Sequence, residues 1–349
     1  MLLTPGPVPI PDFVIEAIAR PVIPHRSSEF QAFFGKLLGD LKYYYQTEQS
    51  VALMHGSGTF GMDAAMYSLF RPGEQVLVAG MGKFSRRWFD YAQVLGLDAI
   101  YMEKPAGEIA SPADVLEMVS QHPDLQGIVL THCETSTGVI LDLEEIAFSL
   151  RRARPDLLIL CDAITTAGTL PFYFDAWGLD GAVSAQKTLM NPSGLTSFAF
   201  SERARARLRE THSSDFRNLY NYFRAADKNA YPYTAPVNLL YGFQAGLDYL
   251  RRETLPVVWN RSHHSAKTFR EGVQAIGGAL FAKSPSDSVT SFYFPGKAQD
   301  EIKRKLKEEA GILISGGQDE LSGKILRVSH MGLADADRMT ELLSALRLL

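Results

Sequence analysis

The chain has 349 residues, 46% hydrophobic and 21% charged, with a net charge of −4. This is ordinary globular composition, longer than one compact core usually holds, so two domains are expected. The charge balance excludes a broad basic surface for nucleic acid or anionic membrane.

Pro5, Pro7, Pro9 and Pro11 punctuate the first fifteen residues, which should run extended over a surface. No charged-then-apolar leader precedes Leu2-Leu3-Thr4-Pro5, and no apolar stretch reaches membrane-spanning length. A soluble, cytoplasmic protein is expected. From about residue 50 to 200, short apolar runs alternate with longer amphipathic stretches. Gln75–Ala79, Gly127–Thr131, Leu157–Cys161, Ala182–Ala185 and Thr196–Phe200 read as buried strands, with helices such as Pro112–Gln121 and Leu143–Ala153 between them. This alternation predicts an α/β fold with a mostly parallel sheet between helices. Pro236–Arg252 reads as a long helix leaving that unit. Helix Val258–Ala275, strand Ser291–Phe294, helix Lys297–Ala310, strand Lys324–Ser329 and a helix from Asp335 then form a smaller α+β unit. The expected division is an extended segment 1–15, a large domain 16–245 and a small domain 246–349.

The run Lys303-Arg304-Lys305-Leu306-Lys307 is flanked by Glu301, Glu308 and Glu309, so it reads as a solvated helix face. Cys133 and Cys161 lack metal-ligand spacing, no metal is expected, and buried reduced thiols are the simplest reading.

Lys187 is the most informative residue. The apolar run Ala182–Ala185 delivers it into a turn, 25 positions after Asp162 ends another apolar run. Two strand ends of an open parallel sheet can meet in one crevice. There, a lysine amine could form a Schiff base with an aldehyde, and a carboxylate could keep a pyridine nitrogen protonated. Those are the requirements of pyridoxal 5′-phosphate. Burial near a cation would depress the lysine and free its amine as nucleophile and base. Asp162 also fits a helix N-cap or turn. His55-Gly56-Ser57-Gly58-Thr59 opens a helix whose free N–H groups suit a phosphate, although a glycine turn with a Ser/Thr N-cap has the same pattern. Phe84 could cover a ring face or serve as a core aromatic. Ser136 could reach a ring's phenolic edge, Ser184 and Gln186 flank the lysine, and His132 and Glu134 fit loop-ordering groups.

Together these residues resemble class V pyridoxal-phosphate-dependent aminotransferases of fold type I, nearest the alanine–glyoxylate and serine–pyruvate group. The resemblance runs through Thr4-Pro5-Gly6-Pro7, His25-Arg26-Ser27-Ser28-Glu29-Phe30, Gly56-Ser57-Gly58-Thr59, Thr135-Ser136-Thr137-Gly138, Cys161-Asp162-Ala163, Trp177-Gly178-Leu179-Asp180, Ser184-Ala185-Gln186-Lys187 and Pro192-Ser193-Gly194-Leu195. It implies cofactor bound to Lys187, Asp162 on the pyridine nitrogen, Phe84 stacked on the ring, and Ser57, Gly58, Thr59 and Gln186 on the phosphate. Many relatives carry tryptophan where this chain has Phe84. By the same resemblance, Tyr231 and Thr234 of Tyr231-Pro232-Tyr233-Thr234 reach the phosphate in a second subunit, which implies a homodimer with shared sites. Arg327 would hold the substrate carboxylate by a guanidinium fork, and Gly6 with its prolines would line the substrate side.

The expected activity is a ping-pong transfer of an amino group from alanine or serine to glyoxylate or pyruvate. A 2-aminoethylphosphonate transaminase is the alternative within the fold, with Arg26, Arg86, Arg87 or Arg327 available for the phosphonate. A catalytically idle binding or regulatory protein of the same fold is the alternative from another functional class. Cysteine desulfurase chemistry is disfavoured, since no cysteine follows Cys161.

Overall fold

The computed structural model describes residues 1–210 and 215–349. Its first half contains α1 (Asp12–Ile18), α2 (Ser28–Tyr45), β1 (Ser50–His55), α3 (Gly58–Leu69), β2 (Gln75–Gly80), α4 (Lys83–Val94), β3 (Asp98–Glu103), α5 (Pro112–Gln121) and β4 (Leu125–Thr131). Then follow β5 (Cys133–Glu134), β6 (Val139–Ile140), α6 (Leu143–Ala153), β7 (Leu158–Asp162), β8 (Gly181–Ala185), β9 (Leu195–Phe200), α7 (Glu202–Arg207) and α8 (Leu219–Ala226). The last third holds α9 (Val237–Glu253), α10 (Leu255–Ala275), β10 (Ala279–Leu280), β11 (Val289–Tyr293), α11 (Gln299–Ala310), β12 (Ser315–Gly316), β13 (Leu326–Ser329) and α12 (Ala336–Arg347).

The large sheet has the order β1-β9-β8-β7-β4-β2-β3. Strands β3, β2, β4, β7 and β8 pair parallel, and β9 runs antiparallel to both β8 and β1. The expected mostly parallel sheet is therefore present, with β9 as the reversed strand. Strands β7, β8 and β9 are buried along their whole length, as a sheet covered on both faces requires. The carboxyl ends of β1, β2, β4, β7 and β8 consequently open on one edge, where ligands of open α/β sheets bind.

The second sheet, β10-β11-β13-β12, is antiparallel throughout. Its own apolar cluster is built on Phe269, Phe292, Leu306, Leu326, Val328 and Leu342. The opening segment joins this smaller sheet: Leu3 donates its N–H to the Leu313 carbonyl and accepts from Ser329. That segment is extended only as far as Pro11, because α1 begins at Asp12 with Pro11 as its N-cap. On α11, Lys303, Arg304 and Lys305 pair with Asp300, Glu308 and Glu301 along an exposed face. Cys133 and Cys161 are free and buried. Among the described residues, no helix is long and apolar enough to cross a membrane.

Candidate active site

The strand ends frame a cavity of about 150 Å³ lined by Ser57, Gly58, Thr59, Phe84, Asp162, Gln186 and Lys187. Seven of the residues expected at the site thus meet at one place. Asp162 closes β7, and Lys187 follows β8 by two residues. Asp162 accepts from Trp88 Nε1 at 3.0 Å and from the Ile164 N–H at 3.1 Å. Burial still lifts its carboxyl above the usual range, against the pull of those bonds and of Lys187. Burial also pushes the Lys187 amine down, opposed by the charge of Asp162 and reinforced by Arg327. A depressed lysine beside a carboxylate is poised for amine chemistry.

The Lys187 amine lies 5.6 Å from the Phe84 ring centroid. Gly6 closes another side: a Cβ there would fall 2.9 Å from Lys187 Cε, and its φ is +152°. That backbone favours glycine, and the close approach sets it against the end of the lysine side chain. The N-terminal segment thus reaches the lysine.

Ser57 caps α3 by accepting from the Phe60 N–H, so the capping reading holds while the same loop lines the cavity. Gly58 is needed for packing, since a Cβ would meet Ile164 Cδ1 at 2.9 Å. Arg87 lines the same end and donates to Thr59 Oγ1 at 2.9 Å.

Ser136 is not among the cavity's lining residues. Its hydroxyl donates to Glu134 Oε1 at 2.6 Å and accepts from the Lys83 N–H at 3.1 Å, and it faces a neighbouring cleft with Gly82 and Lys83. The preceding residue, Thr135, lines the cavity instead. Both residues lie in the turn between β5 and β6, where the bonds of Ser136 to Glu134 and Lys83 hold it on the far side from the cavity. Glu134 is the loop-ordering group that its sequence context suggests. Its two oxygens also accept from the N–H groups of Phe84, Ser85 and Ser136. His132 is buried, edge-on to Trp177, and its pKa falls to about 3 through burial.

Arg327 is buried on β13. Its Nε donates to the Gly316 carbonyl and its Nη1 to the Thr135 carbonyl, both at 2.8 Å. Arg327 is not itself a lining residue of the cavity; its Nη1 bond ties it to Thr135, which is. Tyr231 and Thr234 stand apart from this cavity. The Tyr231 hydroxyl accepts from the His55 N–H at 2.8 Å, and Thr234 lines a groove with Val22 and His25. Trp88 and Thr135 escaped the sequence reading. Trp88 carries no local signal for its role, because its partner Asp162 lies 74 positions away at the end of β7.

A seven-stranded sheet with lysine and aspartate at adjacent strand ends, and an antiparallel unit packed beside it, defines the fold type I class of pyridoxal-phosphate enzymes. The chain belongs to the class-V aminotransferase family, whose sequence profile matches residues 22–334. It is similar to the alanine–glyoxylate aminotransferase of Nostoc sp., with a TM-score of 0.93 and 30% identity over 99% of this chain and 94% of that one. It is 34% identical to the L-aspartate–glyoxylate aminotransferase of Paracoccus denitrificans, over 99% of this chain and 89% of the relative. A protein of Anabaena cylindrica named as the soluble hydrogenase 42 kDa subunit is 33% identical, over 97% and 90% of the two chains. The protein is thus a transaminase that depends on pyridoxal 5′-phosphate.

The residues present fit that cofactor. Asp162 offers a buried carboxylate to a pyridinium, and Phe84 offers a ring face. Gln186 lines the cavity with its Oε1 buried and unpartnered, an orphan that a bound group can relieve.

Proposed function

We propose that this transaminase moves an amino group from a small L-amino acid, alanine or serine, to glyoxylate or pyruvate in two alternating half-reactions. The observation that carries this reading is the closeness of Gly6 to Lys187, which leaves little room for a substrate side chain beside the amine. The words alanine–glyoxylate and aspartate–glyoxylate in the names of two similar proteins support glyoxylate as acceptor.

Bound pyridoxal phosphate supplies the carbonyl that takes up the amine and a ring that withdraws electrons from the substrate's Cα. The protein supplies the rest. Asp162, held by Trp88 and the Ile164 N–H, keeps its negative charge directed at the pyridine nitrogen. Lys187 is the group that would move the proton at the substrate's Cα, which its lowered basicity allows near neutral pH. Arg327 takes the substrate carboxylate, oriented by its bonds to Thr135 and Gly316. Ser57, Gly58, Thr59 and Gln186 hold the phosphate, and Phe84 excludes water from one ring face. Tyr231 and Thr234 serve the phosphate of a second copy, so the working unit is a homodimer with two shared sites.

The test is an initial-rate panel of alanine, serine, aspartate and 2-aminoethylphosphonate against glyoxylate and pyruvate. Alanine or serine with glyoxylate should give the highest kcat/KM, with parallel double-reciprocal lines. Preference for aspartate or the phosphonate, or intersecting lines, would overturn the reading.

A further inference from the structure

We infer that Arg87 is the counter-charge for the cofactor's phosphate and fixes the Thr59 hydroxyl that meets it. This rests on the proposed reading that the phosphate seats at Ser57–Thr59. Arg87 lies three residues after Phe84 on α4, on the same helix face. Its guanidinium carbon sits 5.2 Å from the Phe84 ring centroid, and its Nη1 donates to Thr59 Oγ1 at 2.9 Å. One side chain therefore touches both the ring-covering and the phosphate-holding parts of the site.

The charges point the same way. The adjacent Arg86 is paired with Asp90 at 3.2 Å and stacked on Phe89 and Tyr101. Among the described residues, no carboxylate lies within 4.0 Å of Arg87, although it lines a partly enclosed cavity. The other groups at this end, Ser57, Gly58, Thr59 and Gln186, are neutral. A phosphate ester carries a charge of about −1.5 to −2 near neutral pH, and a helix N-terminus offsets only about half a unit. Arg87 is the cation that completes the balance.

Hydrogen-bond direction adds a second contribution. Thr59 Oγ1 accepts from Arg87, so its own O–H proton is left to donate. Arginine thereby turns an ambivalent hydroxyl into a dedicated donor toward an anion. The sequence allowed Arg87 as a binder of a substrate phosphonate, whereas its bond to Thr59 places it with the cofactor-holding loop.

Equilibrium binding to the full chain, freed of cofactor, separates this role from simple support of Phe84. Pyridoxal 5′-phosphate and pyridoxal, which lacks the phosphate, are each titrated by tryptophan fluorescence into wild type, Arg87→Met and Arg87→Lys. Arg87→Met should weaken the phosphorylated ligand roughly 10- to 100-fold, the range of one charge-assisted hydrogen bond. Pyridoxal affinity should change less than about twofold, within the noise of a lost neutral contact. Arg87→Lys should recover much of the loss, and inorganic phosphate should compete for wild type more strongly than for Arg87→Met. Equal weakening of both ligands would overturn the inference, as would unchanged affinity for the phosphorylated one. Failure of wild type to bind pyridoxal phosphate would instead overturn the reading beneath it.

Discussion

Glu134→Gln is a severe test, because one buried carboxylate ties the start of α4 to the turn that carries Ser136. Oε2 accepts the N–H groups of Phe84 and Ser85 at 3.0 and 2.9 Å, while Oε1 accepts the N–H and hydroxyl of Ser136 at 3.1 and 2.6 Å. Glutamine is nearly the same size but presents an NH₂ where one oxygen was. The cheaper orientation turns that NH₂ toward Ser136, whose hydroxyl can rotate to accept. The Ser136 N–H is then unpaired in a buried place, and the two bonds to α4 lose their charge assistance. An unpaired buried donor costs about 1–3 kcal/mol, and charged bonds exceed neutral ones by about 1 kcal/mol. The sum, roughly 2–4 kcal/mol, lies at the upper end of single-substitution effects. The negative charge of Glu134 also supports protonated Lys187, so the substitution should lower the lysine further. Urea unfolding at pH 7 measures the first effect, and a spectral pH titration of the cofactor-loaded protein follows the second. A loss under about 0.5 kcal/mol, the level of an ordinary surface substitution, would refute the reasoning.

Three further outcomes are expected. His132 has its pKa depressed from 6.5 to about 3 by burial, so its contribution to stability is present above pH 6.5 and lost as pH falls toward 3. Between pH 7 and 5 this amounts to about 2 kcal/mol, and His132→Phe should remove that much of the slope; parallel urea-stability profiles for the two proteins would contradict it. Thr135→Val should alter the visible spectrum of bound cofactor, while Ser136→Ala should mainly lower stability by about 1–3 kcal/mol through its lost bond to Glu134; the reverse pattern would restore Ser136 to the cavity. Trp88→Phe removes a donor that lowers the Asp162 pKa, so cofactor binding should fall off at a higher pH on the acid side; an unmoved acid limb would separate Trp88 from that role.

Much of the architecture was legible because β4, β7, β8 and β9 are short apolar runs bounded by turns, and because α5 and α6 carry clean amphipathic spacing. The short helix α1 was hidden by its prolines, which favour extended backbone until Pro11 serves as a cap. Lys187 and Asp162 were legible as polar residues ending apolar strands. Thr135 was misjudged for Ser136 because neighbours in a tight loop point to opposite sides, and only the bonds of Glu134 decide which. Trp88 reads as core from its sequence. Its role appears once β7 brings Asp162 beneath α4, a long-range pairing that periodicity cannot reveal. The separation of Tyr231 and Thr234 from this chain's own cavity likewise depends on how α9 and the segment before it pack.

The most direct test of the whole account is covalent. Borohydride reduction of the protein loaded with pyridoxal 5′-phosphate, followed by proteolysis and mass spectrometry, should place one phosphopyridoxyl group on Lys187 and abolish it in Lys187→Ala. Attachment to another lysine, or no adduct at saturating cofactor, would contradict the assignment of Lys187 as the residue that carries the chemistry.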